Sequence, residues 1–151
     1  MVDIPNLTAE ASAVIRRPVA EVFIFADTEA NEPLWMPYNQ ESQQVSGGPV
    51  HEGTKGQGKG RFLGRPIQAT WAVTEHVPNA RVAYTRNHGS FLMHGLWLFE
   101  ETPDGTWVRM SYRFEGDWRP VLGRLSNRAL LAVWGKQLQG ALRNLKHLLE
   151  V

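Results

Sequence analysis

The stretch KGQGKGRFLGRPIQATWAVTEHVPNARVAYTRNHGSFLMHGLWLFEETPDGTWVRMSYRFEG, residues 55–116, decides the architecture. Four candidate two-residue turns, Gly64-Arg65, Pro78-Asn79, His88-Gly89 and Asp104-Gly105, divide it into consecutive strands. A two-residue turn fixes which residues face each other across a hairpin. The first turn sets Phe62 opposite Ile67 and Gly58 opposite Trp71. The second sets Trp71 opposite Arg86 and Val73 opposite Tyr84. The third sets Tyr84 opposite Met93, and the fourth sets Trp97 opposite Tyr112.

All four turns assign one set of side chains to a single face: Phe62, Ile67, Trp71, Val73, Val82, Tyr84, Met93, Trp97, Phe99, Val108, Met110, Tyr112 and Phe114. Strand side chains alternate with period two, so a wrong register at any turn is expected to flip the set. The other face carries Lys55, Gln57, Lys59, Arg61, Gln68, Thr70, Arg109 and Arg113, as solvent demands. Leu92, His94, Leu96 and Leu98 interrupt it with an apolar stripe. Exposed apolar patches are uncommon on monomers, which makes Leu92, Leu96 and Leu98 a candidate homodimer surface, with cover by a loop or the amino terminus as the alternative.

On the amino-terminal side, residues 8–16 alternate as a first strand. Pro18 can open a short helix ending near Asp27, because Val19, Val22, Phe23 and Ala26 fall at helical spacing. A second short helix runs from Glu29 to about Trp35, stopped by Pro37, and YNQESQQVSGGP follows as a polar strand. On the carboxyl-terminal side, Leu122, Leu125, Ala129, Val133, Gln137, Ala141, Leu145 and Leu148 predict one long helix, roughly Trp118 to Glu150, with one buried stripe. A curved sheet of about seven strands wrapped around that helix is an α+β fold in which sheet and helix enclose a cavity.

The chain has 151 residues, the size of one domain, and can bury about 70% of its unfolded surface. It has no cysteine, which excludes disulfides, thiolate zinc sites and a cysteine nucleophile. Sixteen Lys and Arg against fifteen Asp and Glu leave a net charge of +1, which offers no field for steering nucleic acid. No apolar run is long enough for membrane insertion, and the first residues lack a signal-peptide pattern, so a soluble, cytoplasmic protein is expected.

The order of elements is that of the helix-grip fold, and particular segments add weight: RRPVAEVFIFADTEANEPLWMP, SGGPVHEGTKGQGKG, FLGRPIQATWAVTEHVPNARVAYTR, DGTWVRMSYRFEG and LRNLKHLLE. On these the chain resembles the SRPBCC or START-like superfamily, and within it the polyketide cyclase/dehydrase group of small bacterial proteins, over nearly its whole length. Trp107 departs from the pattern, since the Gly-Thr turn is usually followed by a basic residue. The resemblance implies a single domain over 1–151 and a deep cavity between sheet and long helix that takes lipids, polyketides, aromatic hormones or quinones in different relatives. It does not imply catalysis.

The candidate chemistry fits binding. Gly56, Gly58 and Gly60 run into a hairpin instead of opening a helix, so they form no phosphate loop. They leave an inward trough that Trp71 can fill or a ligand can use. Five histidines show no metal-ligand spacing, and His88, at a predicted turn, reads as a surface residue. Arg86 faces inward and needs an anion, either a helix carboxylate or a ligand. Tyr84 and Tyr112 offer inward hydroxyls. The expected ligand-binding set is Trp35, Trp71, Tyr84, Arg86, Met93, Trp97, Met110, Tyr112 and Phe114, with no catalytic residue, metal or cofactor assigned. Binding of a small, largely apolar molecule leads; a cyclase or dehydratase acting on a poly-carbonyl chain and a protein-interaction module are the alternatives.

Overall fold

The computed structural model describes residues 7–36 and 39–151. The expected Pro37 helix stop and Tyr38, at the head of the polar strand, lie outside the described residues. Seven strands form one antiparallel sheet: β1 (Thr8–Ile15), β2 (Asn39–Gln44), β3 (Lys55–Phe62), β4 (Arg65–Val77), β5 (Arg81–Asn87), β6 (Phe91–Thr102) and β7 (Gly105–Gly116). Their spatial order is β1-β7-β6-β5-β4-β3-β2. Between β1 and β2 lie α1 (Val19–Asp27), a 3-10 turn (Glu29–Asn31) and α2 (Glu32–Trp35). After β7 come α3 (Arg119–Leu122) and α4 (Asn127–Leu149).

The predicted inward face is the core. Twelve of its thirteen residues are buried, and Trp71 is half-buried. The register beneath that face differs from expectation at three of the four turns. The β3–β4 turn is Leu63-Gly64, which pairs Gly58 with Ala69 and Gly56 with Trp71. The β5–β6 turn is Gly89-Ser90, pairing Tyr84 with Gly95 and Arg86 with Met93. The β6–β7 turn is Pro103-Asp104, pairing Trp97 with Met110 and Gly95 with Tyr112. Each of these moves the pairing by two residues, which leaves every side chain on its expected face. Gly89, at φ 94°, occupies the first turn position, where glycine has no steric penalty.

The β4–β5 hairpin behaves differently. Trp71 pairs with Arg86 and Val73 with Tyr84 as expected, but a bulge at Thr74 then pairs His76 with Val82 and Val77 with Arg81. The extra residue turns His76 inward. There its Nε2 meets the Asp27 carboxylate of α1 at 3.0 Å, and its ring lies edge-on to Phe23.

The carboxyl-terminal helix is two helices. Gly123, at φ 94°, ends α3 in a conformation that L side chains rarely adopt. Ser126 then caps α4, its hydroxyl accepting the Ala129 amide hydrogen bond at 3.1 Å. The break resets the helical phase. The buried residues of α4 are Leu130, Trp134, Leu138, Ala141, Leu142, Leu145 and Leu149, and not the expected Ala129, Val133, Gln137 and Leu148. Arg17 fastens the far end of α4, donating to the carbonyls of Leu149 and Val151, while Lys146 donates to the Val14 carbonyl of β1. No helix among the described residues is long and apolar enough to cross a membrane.

Candidate functional site

Register lays the inner face out as cross-strand rows. One row runs Val73, Tyr84, Gly95, Tyr112, Ala9; the next runs Gly56, Trp71, Arg86, Met93, Phe114. A third, nearest the β5–β6 turn, holds Gly58, Ala69, His88 and Phe91. The rows differ in chemistry, and they lead from the packed interior to an opening.

The first row is a closed polar knot. A Cβ on Gly95 would stand 2.4 Å from Tyr84 Cζ, so the missing side chain is what lets the Tyr84 ring lie across β6. Lying there, the Tyr84 hydroxyl donates to the Tyr112 hydroxyl at 2.9 Å and accepts from Trp97 Nε1 at 3.0 Å. Burial first, and the neighbouring Tyr112 second, hold the Tyr84 pKa well above that of an ordinary phenol. That hydroxyl is a structural group and no base for neutral pH.

The second row carries the inward charge. Arg86 Nη2 donates to Glu32 Oε1 of α2 at 2.9 Å, with both side chains buried, and the guanidinium carbon lies 5.8 Å from the Tyr84 ring centroid. A helix carboxylate is therefore the anion that Arg86 meets. Glu32 gave no sequence signal, since short-helix acids are ordinary solvent-facing residues. Trp71 fills the Gly56 end of the trough: a Cβ on Gly56 would lie 2.2 Å from Trp71 Cζ2.

The third row is open. A cavity of about 920 Å³ is lined by Gly58 and Ala69 together with their outward-facing chain neighbours Gln57, Lys59, Gln68 and Thr70, by Gln43 of β2, by Glu29, Ala30 and Pro33 from the segment entering α2, and by Asn87, His88 and Gly89 at the β5–β6 turn. No residue of α4 lines it, nor does any of the nine expected ligand contacts. Eight of those nine lie on the inner face of the sheet, and Trp35 comes to it from α2. Trp35 stands edge-on to Trp97 at 5.3 Å, while Met93, Met110, Tyr112 and Phe114 are buried behind it. The space under the long helix is taken by Trp134, stacked on Phe62 at 4.9 Å and against Tyr112 and Phe114.

His88 differs most from its expected role as a surface turn residue. With the turn centred one position later, it is an inward residue whose ring stacks flat on Phe91, with centroids 4.6 Å apart and planes at 2°. Burial, and then the Arg86 charge, push its pKa down to about 4, with the nearby Gln68 backbone opposing them weakly. The ring is neutral at neutral pH. The outer stripe, by contrast, is half-buried. Leu92, Leu96 and Leu98 lie between cross-strand neighbours, and His94 Nε2 meets the Glu115 carboxylate at 2.6 Å.

The chain is similar to several solved structures. TTHA0849 from Thermus thermophilus shares 15% identity at a TM-score of 0.76, covering 93% of this chain and 94% of the other. The di-domain ARO/CYC StfQ from the steffimycin biosynthetic pathway shares 15% at 0.78, over 95% of this chain and 51% of its own. The di-domain ARO/CYC BexL from the BE-7585A biosynthetic pathway shares 18% at 0.76, over 95% and 50%. At these identities the likeness shows the helix-grip fold. No curated protein sequence matches. The family model described as polyketide cyclase/dehydrase and lipid transport matches residues 6–150, and the chain belongs to that SRPBCC-type family.

Proposed function

We propose that the protein binds a small, largely apolar, ring-bearing molecule on the inner side of its sheet. The observation that carries this reading is the cavity of about 920 Å³ over Gly58 and Ala69, which is of the size that small-molecule sites occupy. Its floor is small because β3 alternates Gly56, Gly58 and Gly60 inward and Ala69 lies opposite Gly58. Membership of a family named for polyketide cyclisation and lipid transport supports an apolar ligand. Trp71 and Arg86 stand in the adjoining row. Trp35, Tyr84, Met93, Trp97, Met110, Tyr112 and Phe114 form the wall behind, which a larger ligand reaches by displacing side chains.

A cyclase or dehydratase role would need a tuned acid or base at the ligand. The Tyr84 hydroxyl is committed to Trp97 and Tyr112, and Arg86 to Glu32, which weighs toward binding without turnover. Native mass spectrometry of freshly purified protein tests the reading by seeking a retained small molecule, whose mass would name its class. Ring-bearing ligands should also quench tryptophan fluorescence saturably and raise the melting temperature. No retained mass together with no saturable quenching would remove the proposal.

A further inference from the structure

The opening of the sheet holds polar chemistry that the packed interior has already used. His88 lines the cavity, together with Gly58 and Ala69 of the sheet and Ala30 and Pro33 from the segment entering α2. Its ring is held flat on Phe91 and both nitrogens are shielded from solvent; neither makes a hydrogen bond of full geometry among the described residues, although the Gln68 backbone lies close enough to raise the ring's pKa. Buried polar atoms are seldom left so, and those that are call for a reason, such as a water or ligand that completes them. The ring is neutral at neutral pH, so it offers one donor and one acceptor.

The surrounding charges select the ligand. The nearest buried cation, Arg86, is balanced by Glu32, and Glu29 and Lys59 on the cavity wall bring one charge of each sign. An anionic ligand would lose its hydration there and find no unbalanced cation in return. A hydroxyl can both donate to and accept from a neutral imidazole. Gln68, which lines the cavity, is exposed and can turn its side chain aside to admit one, while Asn87 accepts from the Gly89 amide at 2.9 Å and holds the turn in place.

We propose that this cavity, at the mouth of the sheet and not beneath α4, binds the hydroxyl end of an uncharged, flat-ring molecule, with His88 as its hydrogen-bonding anchor. The proposal rests on the ligand-binding function above and adds its place and its polar chemistry. The test titrates protein carrying nitrogen-labelled histidine with naphthol, alongside naphthoate, which is an anion on the same ring system, and naphthalene, which has no polar group. Naphthol should bind saturably and shift the His88 imidazole nitrogen resonances, with naphthoate and naphthalene binding more weakly.

His88→Phe, which keeps the stack on Phe91, should weaken naphthol about five-fold, the worth of one hydrogen bond. Ala69→Leu, which fills the floor, should abolish binding while the protein still unfolds cooperatively. Saturable naphthol binding that is equal in the parent and both variants, or tighter binding of naphthoate, overturns this placement and leaves the ligand-binding function standing. Failure of all three molecules to bind overturns this placement, and joined to the absence of any retained mass in native spectra it overturns the ligand-binding function as well.

Discussion

Gly95 lies directly opposite Tyr84 across the β5–β6 pair, and a Cβ on it would fall 2.4 Å from Cζ and 2.8 Å from the hydroxyl oxygen of that ring. The ring cannot withdraw, because its hydroxyl is held by Trp97 and Tyr112. Gly95→Ala should therefore cost about 1–3 kcal/mol of overpacking in urea unfolding. It should also lower the Tyr84 contribution to near-ultraviolet circular dichroism. A variant as stable as the parent would mean that the knot has slack.

The same knot should depend on its central oxygen. Tyr84→Phe keeps the ring but leaves Trp97 Nε1 and the Tyr112 hydroxyl each without the bond now made to Tyr84. About 1–3 kcal/mol of lost stability is expected, the cost of stranding buried polar groups. The double variant Tyr84→Phe/Tyr112→Phe should lose less than the sum of the singles, since the bond between the two hydroxyls can be lost only once. Strict additivity would contradict the hydrogen bond between the two rings.

Arg86 and Glu32 call for a thermodynamic cycle. Both side chains are buried, so removing either one takes this 2.9 Å ion pair away from a charge that remains in a poor solvent. Arg86→Met and Glu32→Leu should each cost about 3–5 kcal/mol, whereas the double variant should recover most of that loss. Stability from denaturant midpoints decides the matter. Single variants close to the parent would show that the pair is solvated in solution.

These relationships explain how much of the site could be read from sequence. Parity survives a two-residue error in turn placement, so the inner-face residues were legible although three hairpins were misregistered. Pairings at those three hairpins were not, unlike Trp71–Arg86 and Val73–Tyr84: Tyr84 meets Gly95 and not Met93, and the glycine that makes room for the knot was invisible until register was known. His88 was hidden by the same error, because centring the turn on it made a strand-end residue look like a loop. Trp134 was hidden by helix phase, which Gly123 and Ser126 reset in a way that a continuous heptad-like count cannot detect. The Thr74 bulge, which turns His76 toward Asp27, carries no local signal of its own.

His88 makes stability depend on pH in a definite direction. Its pKa is lowered from 6.5 to about 4 on folding, by burial first and Arg86 second. Between those values the unfolded chain takes up a proton that the folded protein does not, so stability falls as pH falls through that window. Above pH 6.5 the ring is neutral in both states and contributes no slope. The full loss is about 3 kcal/mol on acidification. In His88→Phe the unfolding free energy should be flatter across the same window by that amount; an unchanged slope would place the imidazole in water.

Trp134 closes the space that the helix-grip arrangement would otherwise leave between α4 and the sheet. It is fully buried, stacked on Phe62 at 4.9 Å and in contact with Tyr112 and Phe114 at centroid distances of 5.6 and 5.9 Å. Trp134→Ala should cost about 3–5 kcal/mol, part lost transfer energy and part unfilled cavity. A cavity lined by rings and leucines should then accept the missing group from solution. Added indole should raise the melting temperature of the variant far more than that of the parent, since it stabilises only the state that offers the void. If indole affects both proteins equally, it binds elsewhere, and the interior has collapsed around the missing ring.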